Sequence, residues 1–358
     1  MKVTLAQATS LVQTCGHTNT FLLRGQPGIG KSSILHTLAR HMPDYHPCYV
    51  DCANLDLGDL GLPIIDRDTP IPTTAYAPNV RFGVHQPRPT LLMLDELGKA
   101  SRPVLNMLLP TLLERRLADR PLPVGSIVFA TTNLDTDGVG DNLPAHAHNR
   151  MTVIPIANPT AEEWISWATN STPHTPHAAI APEVLAFAQQ YPHVFECYAD
   201  NPETKNPYIF NPLTGNTRAF CSPRSLAHAS HIITHRQTLG EALLPALAGT
   251  IGESAARDMD ALLRLSDKLP TTDEIAANPE TTRLPTDAAA HFILAFALAQ
   301  EAKPDNLTAF MTYVNRWESF EAVALFVSAL AGSRAKAPMA CANPIFRKKA
   351  AEMNKLFD

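Results

Sequence analysis

Gly25-Gln26-Pro27-Gly28-Ile29-Gly30-Lys31-Ser32 is the stretch that decides the reading of this chain. It meets every fixed position of G-x-x-x-x-G-K-[ST], and its flanks are the ones that pattern needs. The apolar run Phe21-Leu22-Leu23 before it suits a short buried strand. After it, Ser32 to His41 spaces its apolar residues as an amphipathic helix does. Glycines let the backbone bend into a concave nest of inward N–H groups, and a following helix N-terminus adds a favourable dipole. Such a cup grips phosphate. Lys31 is placed to reach the β- and γ-phosphates of a nucleoside triphosphate, and the Ser32 hydroxyl to ligate Mg²⁺. The binding residues expected are Gly25, Gln26, Pro27, Gly28, Ile29, Gly30, Lys31, Ser32 and the adjoining Ser33.

Two further strand-like runs end in chemistry-bearing residues. Leu91-Leu92-Met93-Leu94-Asp95-Glu96 is apolar without alternation, as in a strand buried on both faces. Its two acids would lie in the crevice where open α/β sheets bind ligands. Adjacent strand residues point opposite ways, so the acids need different roles: Asp95 holds Mg²⁺ through water, and Glu96 polarises the attacking water. Ser126-Ile127-Val128-Phe129-Ala130-Thr131-Thr132-Asn133 ends in a neutral amide able to hydrogen-bond a γ-phosphate or that water. Taken locally Asn133 is a weak signal, because strand-ending Asn residues commonly form turns.

Strand-like runs alternate with helical ones from residue 20 to about 157, which predicts a parallel sheet sandwiched by helices. After Pro159 helical patterns take over. The expected organisation is an α/β P-loop nucleotide-binding domain at 1–157, a helical lid at 158–269 and a helical C-terminal extension at 270–358. Residues 53–81, with Pro63, Pro70, Pro72 and Pro78, are read as a loop-rich insert, 201–216 as a long loop, and 270–285 as a linker. Trp164 and Trp167 are expected in the lid core.

Bulk properties narrow the classes. The 358 residues carry 29 Lys and Arg against 34 Asp and Glu, a net charge of −5, whereas a nucleic-acid-coating protein carries a basic surplus. Met1 to Thr18 does not read as a signal peptide, and no run nears the ~20 uncharged apolar residues of a membrane helix. Six scattered cysteines are read as reduced thiols, which points to the cytoplasm. Zinc at His46, Cys48 and Cys52 is set aside for want of four ligands at recognised spacing.

The order of the phosphate loop, Asp95-Glu96 and Ala130-Thr131-Thr132-Asn133 resembles that of the AAA+ ATPases. Leu143-Pro-Ala-His-Ala-His-Asn-Arg150, Cys221-Ser222-Pro223-Arg224 and Asp59-Leu-Gly-Leu-Pro63 are similar to segments of their MoxR branch, so that the likeness covers about residues 20–235. The resemblance implies that Asn133 is sensor 1, Arg150 an arginine finger acting on a neighbouring subunit, and Arg224 a sensor 2 on its own nucleotide. Arg115 and Arg116 are alternatives for the finger. It further implies a homo-oligomeric ring, a hexamer, that binds ATP with Mg²⁺ and hydrolyses it to remodel or activate a protein client. A separate partner with a von Willebrand factor A domain is expected, and Ile71 and Tyr76 of the insert are candidates to touch the client. Two alternatives stay open: a AAA+ motor on nucleic acid, and a nucleotide-dependent assembly scaffold. Asp56, Asp59, Asp66 and Asp68 against Arg67 and Arg81 lean away from the first, and Glu96 argues against the second. No Asn-Lys-x-Asp guanine signature occurs, which favours ATP.

Overall fold

One parallel sheet of five short strands forms around three apolar runs, Phe21–Arg24, Thr90–Asp95 and Ile127–Thr132, that bury side chains on both faces, while the two edge runs are buried only in part. The computed structural model describes residues 1–66, 70–134, 143–170, 179–214 and 219–354. The first unit, Met1–Asn158 with Pro212–Thr214, runs through α1 (Leu5–Cys15), β1 (Phe21–Arg24), α2 (Ser33–His41) and β2 (His46–Asp51). It continues through β3 (Gly61–Asp66), β4 (Thr73–Pro78), β5 (Thr90–Asp95) and α3 (Arg102–Glu114). Then come β6 (Arg116–Leu117), β7 (Arg120–Pro121), β8 (Ile127–Thr132), α4 (Ala145–His148) and β9 (Thr152–Pro155).

The sheet order is β2-β5-β8-β1-β9, all parallel, so the C-terminal ends of β1, β5 and β8 share one edge. Leu23, Leu91, Met93 and Phe129 pack on one face with Leu35 and Leu38 of α2, and Leu22, Leu92, Leu94 and Val128 pack on the other with Val104 and Leu108 of α3. The α/β P-loop arrangement followed by helices is thus the one expected.

The insert departs from the loop reading. β3 and β4 form an antiparallel ribbon, with Gly61 opposite Pro78 and Pro63 opposite Tyr76. Proline content misleads here because a two-stranded ribbon consists of edge strands, whose outward N–H positions tolerate proline. Leu62, Ile64 and Ile65 on β3 and Ile71 beyond it are exposed. Arg67 and Asp68, used above for the charge balance, lie outside the described residues, as does the side chain of Asp66.

The second unit, Pro159–Asn211 and Gly215–Asp358, is helical in its described residues. One apolar core runs through it, taking Trp164 and Phe187 from its beginning and Phe296, Phe310 and Phe326 from beyond residue 270. Trp164 is buried, whereas Trp167 is 40% exposed, a partial correction to the expected pair. The expected linker holds a helix, Thr272–Ala277, capped by Thr271 and Glu274 and pinned by the fully buried Ile275. Its polar, proline-flanked sequence hides it because a six-residue helix needs one apolar anchor rather than a stripe. Ile275→Ala is expected to cost about 2–5 kcal/mol of unfolding free energy, read as a lowered denaturant midpoint of the second unit. An unchanged midpoint would show that the anchor carries no load. Among the described residues, no helix is long and apolar enough to cross a membrane.

Candidate nucleotide site

Between β1 and α2 the chain turns through two left-handed glycines, Gly28 at φ 81° and Gly30 at φ 104°. A side chain is strained at such angles. Gly25 is favoured for a different reason, since a Cβ there would lie 2.7 Å from Ile29 Cδ1 and 3.2 Å from Ile156 Cβ, so both side chains would have to give way. The loop is therefore a bare backbone cup. Ser33 closes its far end, donating from Oγ to the Gly30 carbonyl at 2.6 Å, and Asn158 holds Gln26 by an Nδ2–H···Oε1 bond of 2.8 Å.

Lys31 lies across the cup, only 8% exposed. Its ammonium donates to the carbonyls of Gly25 at 2.6 Å and Gln26 at 2.8 Å, and to Asn133 Oδ1 at 3.0 Å. This joins the loop after β1 to the residue after β8. The two motifs are neighbours because β1 and β8 pair directly, with Arg24 opposite Thr132.

Asp95 ends β5 and is 8% exposed. Ser32 Oγ donates to its Oδ2 at 3.0 Å, the Tyr49 hydroxyl to the same oxygen at 2.9 Å, and Thr131 Oγ to Oδ1. Partial desolvation, then the bond to Asp95 and the nearby carboxylates, pushes the Tyr49 phenol up, so it stays a donor. Glu96 does not continue the strand as the sequence suggested. It takes a left-handed conformation, φ 52°, its N–H donates to Thr131 Oγ at 3.2 Å, and its carboxylate meets Lys99 Nζ at 2.5 Å. The two acids therefore diverge through a backbone turn rather than through strand alternation.

A hydroxyl and a carboxylate drawn together beside a phosphate-type cup form a donor set for a hard divalent cation, so Ser32 and Asp95 fit Mg²⁺. Tyr49 and Thr131 were missed from sequence. Thr131 stands inside a quoted motif, yet nothing local marks which threonine faces Asp95. Tyr49 reaches the site through strand register, which sequence spacing does not carry. Burial pushes the nearby Cys48 thiol up to about 11, which keeps it protonated.

The arginines lie on other segments. Arg150, just past α4, donates from Nη1 to the His146 carbonyl at 3.0 Å. Arg224 is the exposed second residue of helix Pro223–Ile233 in the second unit, whose N-terminus is capped by Ser222. Arg115, the rival finger, is tied to Thr20 Oγ, the Leu112 carbonyl and the Gly16 carbonyl. Arg116 is exposed on β6.

No family model matches the chain, and no curated protein matches it. Among solved structures it is similar to the RuvB Holliday junction branch migration motor of Thermotoga maritima, at 15% identity, covering 87% of this chain and 86% of that one, with TM-score 0.39. It is also similar to NtrX from Brucella abortus in complex with ADP, at 13% identity over 98% of this chain and 66% of that one, with TM-score 0.40. A third likeness is to Hsp104, at 17% identity and TM-score 0.36. It covers 46% of this chain, which spans only 34% of that chain's length. At such identities and scores, any functional conclusion has to rest on the chain's own residues.

Proposed function

We propose that this chain is an ATP-hydrolysing, ring-forming motor subunit of MoxR-like AAA+ type that remodels or activates a protein client. The observation that carries the reading is the convergence of Lys31, Ser32, Asp95, Glu96 and Asn133 at the C-terminal ends of three adjacent parallel strands. Gly25 to Ser33 would cradle the phosphates, and Ser32 and Asp95 would hold Mg²⁺. Bound there, the ion would neutralise charge on the phosphate oxygens. Glu96 would accept a proton from the attacking water, Asn133 would orient it, and Arg224 would add positive charge from the lid. The finer features follow the sequence resemblance: a hexameric assembly, a cytoplasmic setting and a separate partner with a von Willebrand factor A domain. The exposed Leu62, Ile64, Ile65 and Ile71 support a protein client, since apolar residues held out on a ribbon suit a polypeptide better than a phosphate backbone.

Arg150 is assigned to the neighbouring subunit's site, which makes the ring part of the chemistry. Phosphate release from ATP with Mg²⁺ should rise more steeply than linearly with protein concentration. Arg150→Ala subunits and Lys31→Ala subunits should each be inactive alone. Mixed one to one in a ring of heterologous interfaces, they should regain about a quarter of wild-type activity, because an intact cup then meets an intact arginine at about one interface in four. Rings that form but show no recovery would place the finger elsewhere, and a monomer with full activity would remove the trans-acting role.

A further inference from the structure

Tyr49 belongs to none of the motifs above, yet its hydroxyl lands on the buried carboxylate at the centre of the site. We infer that Tyr49 is a positioning residue for Asp95, fixing its carboxylate in the orientation that receives the divalent cation. The inference rests on the reading of Asp95 as the metal carboxylate.

The strand register supplies the geometry. Tyr49 pairs with Met93 and Asp51 with Asp95, so Tyr49 is the diagonal neighbour of Asp95 on one face of the sheet. That face is the α2 side, where Met93 packs with Leu35 and Leu38, while Cys48 and Val50 turn to the opposite core. Because β2 is an edge strand, Tyr49 is 51% exposed, yet its hydroxyl reaches inward to Asp95.

The donors divide the carboxylate between them. Thr131 takes Oδ1, and Ser32 and Tyr49 take Oδ2, so turning the carboxylate plane about its last torsion would strain bonds to both oxygens. Ser32 must also offer its oxygen to the cation, and it moves with the phosphate loop. Tyr49 comes from a strand outside that loop. Its bond to Oδ2 does not depend on the loop.

The test is calorimetric, with the full chain and a non-hydrolysable ATP analogue, once in EDTA and once with Mg²⁺. The quantity read is the gain in affinity that Mg²⁺ confers. Tyr49→Phe keeps the ring and removes the donor, so binding in EDTA should be unchanged and the Mg²⁺ gain should fall by about tenfold, the usual weight of a hydrogen bond to a charged group. In an Asp95→Asn background the same substitution should cost nothing further. A residue that merely packs the edge would instead lower both affinities together and add its loss to that of Asp95→Asn. Melting of the nucleotide-free proteins checks that each variant is folded. An intact Mg²⁺ gain in Tyr49→Phe, or an additive loss in the double variant, would overturn the assignment alone. Wild-type protein that gives no heat with the analogue would overturn the nucleotide reading, and the role of Tyr49 with it.

Discussion

Lys31→Ala is expected to abolish nucleotide binding, with calorimetric affinity falling by at least about 100-fold, or more than ~2.7 kcal/mol. The Lys31 side chain is 8% exposed and its ammonium directs its three donors at Gly25 O, Gln26 O and Asn133 Oδ1. Those acceptors are neutral. A triphosphate brings full negative charge to the same cup, where low exposure weakens solvent screening and strengthens the attraction. Alanine removes the cation and leaves the Gly25 and Gln26 carbonyls facing the place the phosphates would take. The loss is therefore larger than that of one deleted bond. Ligand-induced stabilisation gives an independent reading: ATP with Mg²⁺ should raise the melting temperature of wild type and leave Lys31→Ala unmoved. Unchanged affinity in the variant would contradict the assignment of the loop.

Much of this site was legible because buried parallel strands write themselves as unbroken apolar runs. β5 and β8 are buried at every position, and each ends in the residue that sequence singled out or just before it. The glycine pattern was readable for a related reason: positive φ at Gly28 and Gly30 and the close approach at Gly25 leave few other residues possible. The helical character read after Pro159 appears at once as Ala161–Thr169, which turns Trp164, Ile165 and Ala168 to the core, and Pro182–Gln190, which is buried along Glu183 to Ala188. What stayed hidden depends on pairing between distant segments. The ribbon at 61–78 is two edge strands rich in proline, so composition argued for loop. The hydroxyls of Tyr49 and Thr131 act on Asp95 across strand register, and no local pattern records register. Glu96 was recognised as an acid of the site but placed on the strand, and its left-handed backbone is set by the turn into Leu97–Lys99.

That backbone turn bears on the second large effect, the loss of turnover in Glu96→Gln. Its N–H is held by Thr131, whose hydroxyl also donates to Asp95, so the turn is registered directly against the carboxylate proposed to hold Mg²⁺. The side chain is about a third exposed and paired with Lys99 at 2.5 Å. A pair this exposed contributes about 0–1 kcal/mol, so glutamine, equal in size and still able to accept a hydrogen bond, should leave the fold and the proposed ring intact. Nucleotide affinity should also persist, because the cup, Lys31 and Asp95 are unaltered. What glutamine lacks is a lone pair basic enough to take a proton from water, and general-base catalysis is commonly worth about 10²–10⁴-fold. Phosphate release should therefore drop by at least about 100-fold while analogue binding stays within about twofold of wild type. Lys31→Ala loses both measurements and Glu96→Gln loses one. That split separates a residue that grips the ground state from one that acts during bond cleavage. Wild-type rates in Glu96→Gln would remove Glu96 from the mechanism and leave the Lys31 assignment standing, whereas loss of binding in Glu96→Gln would mean that its pairing with Lys99 shapes the cup itself.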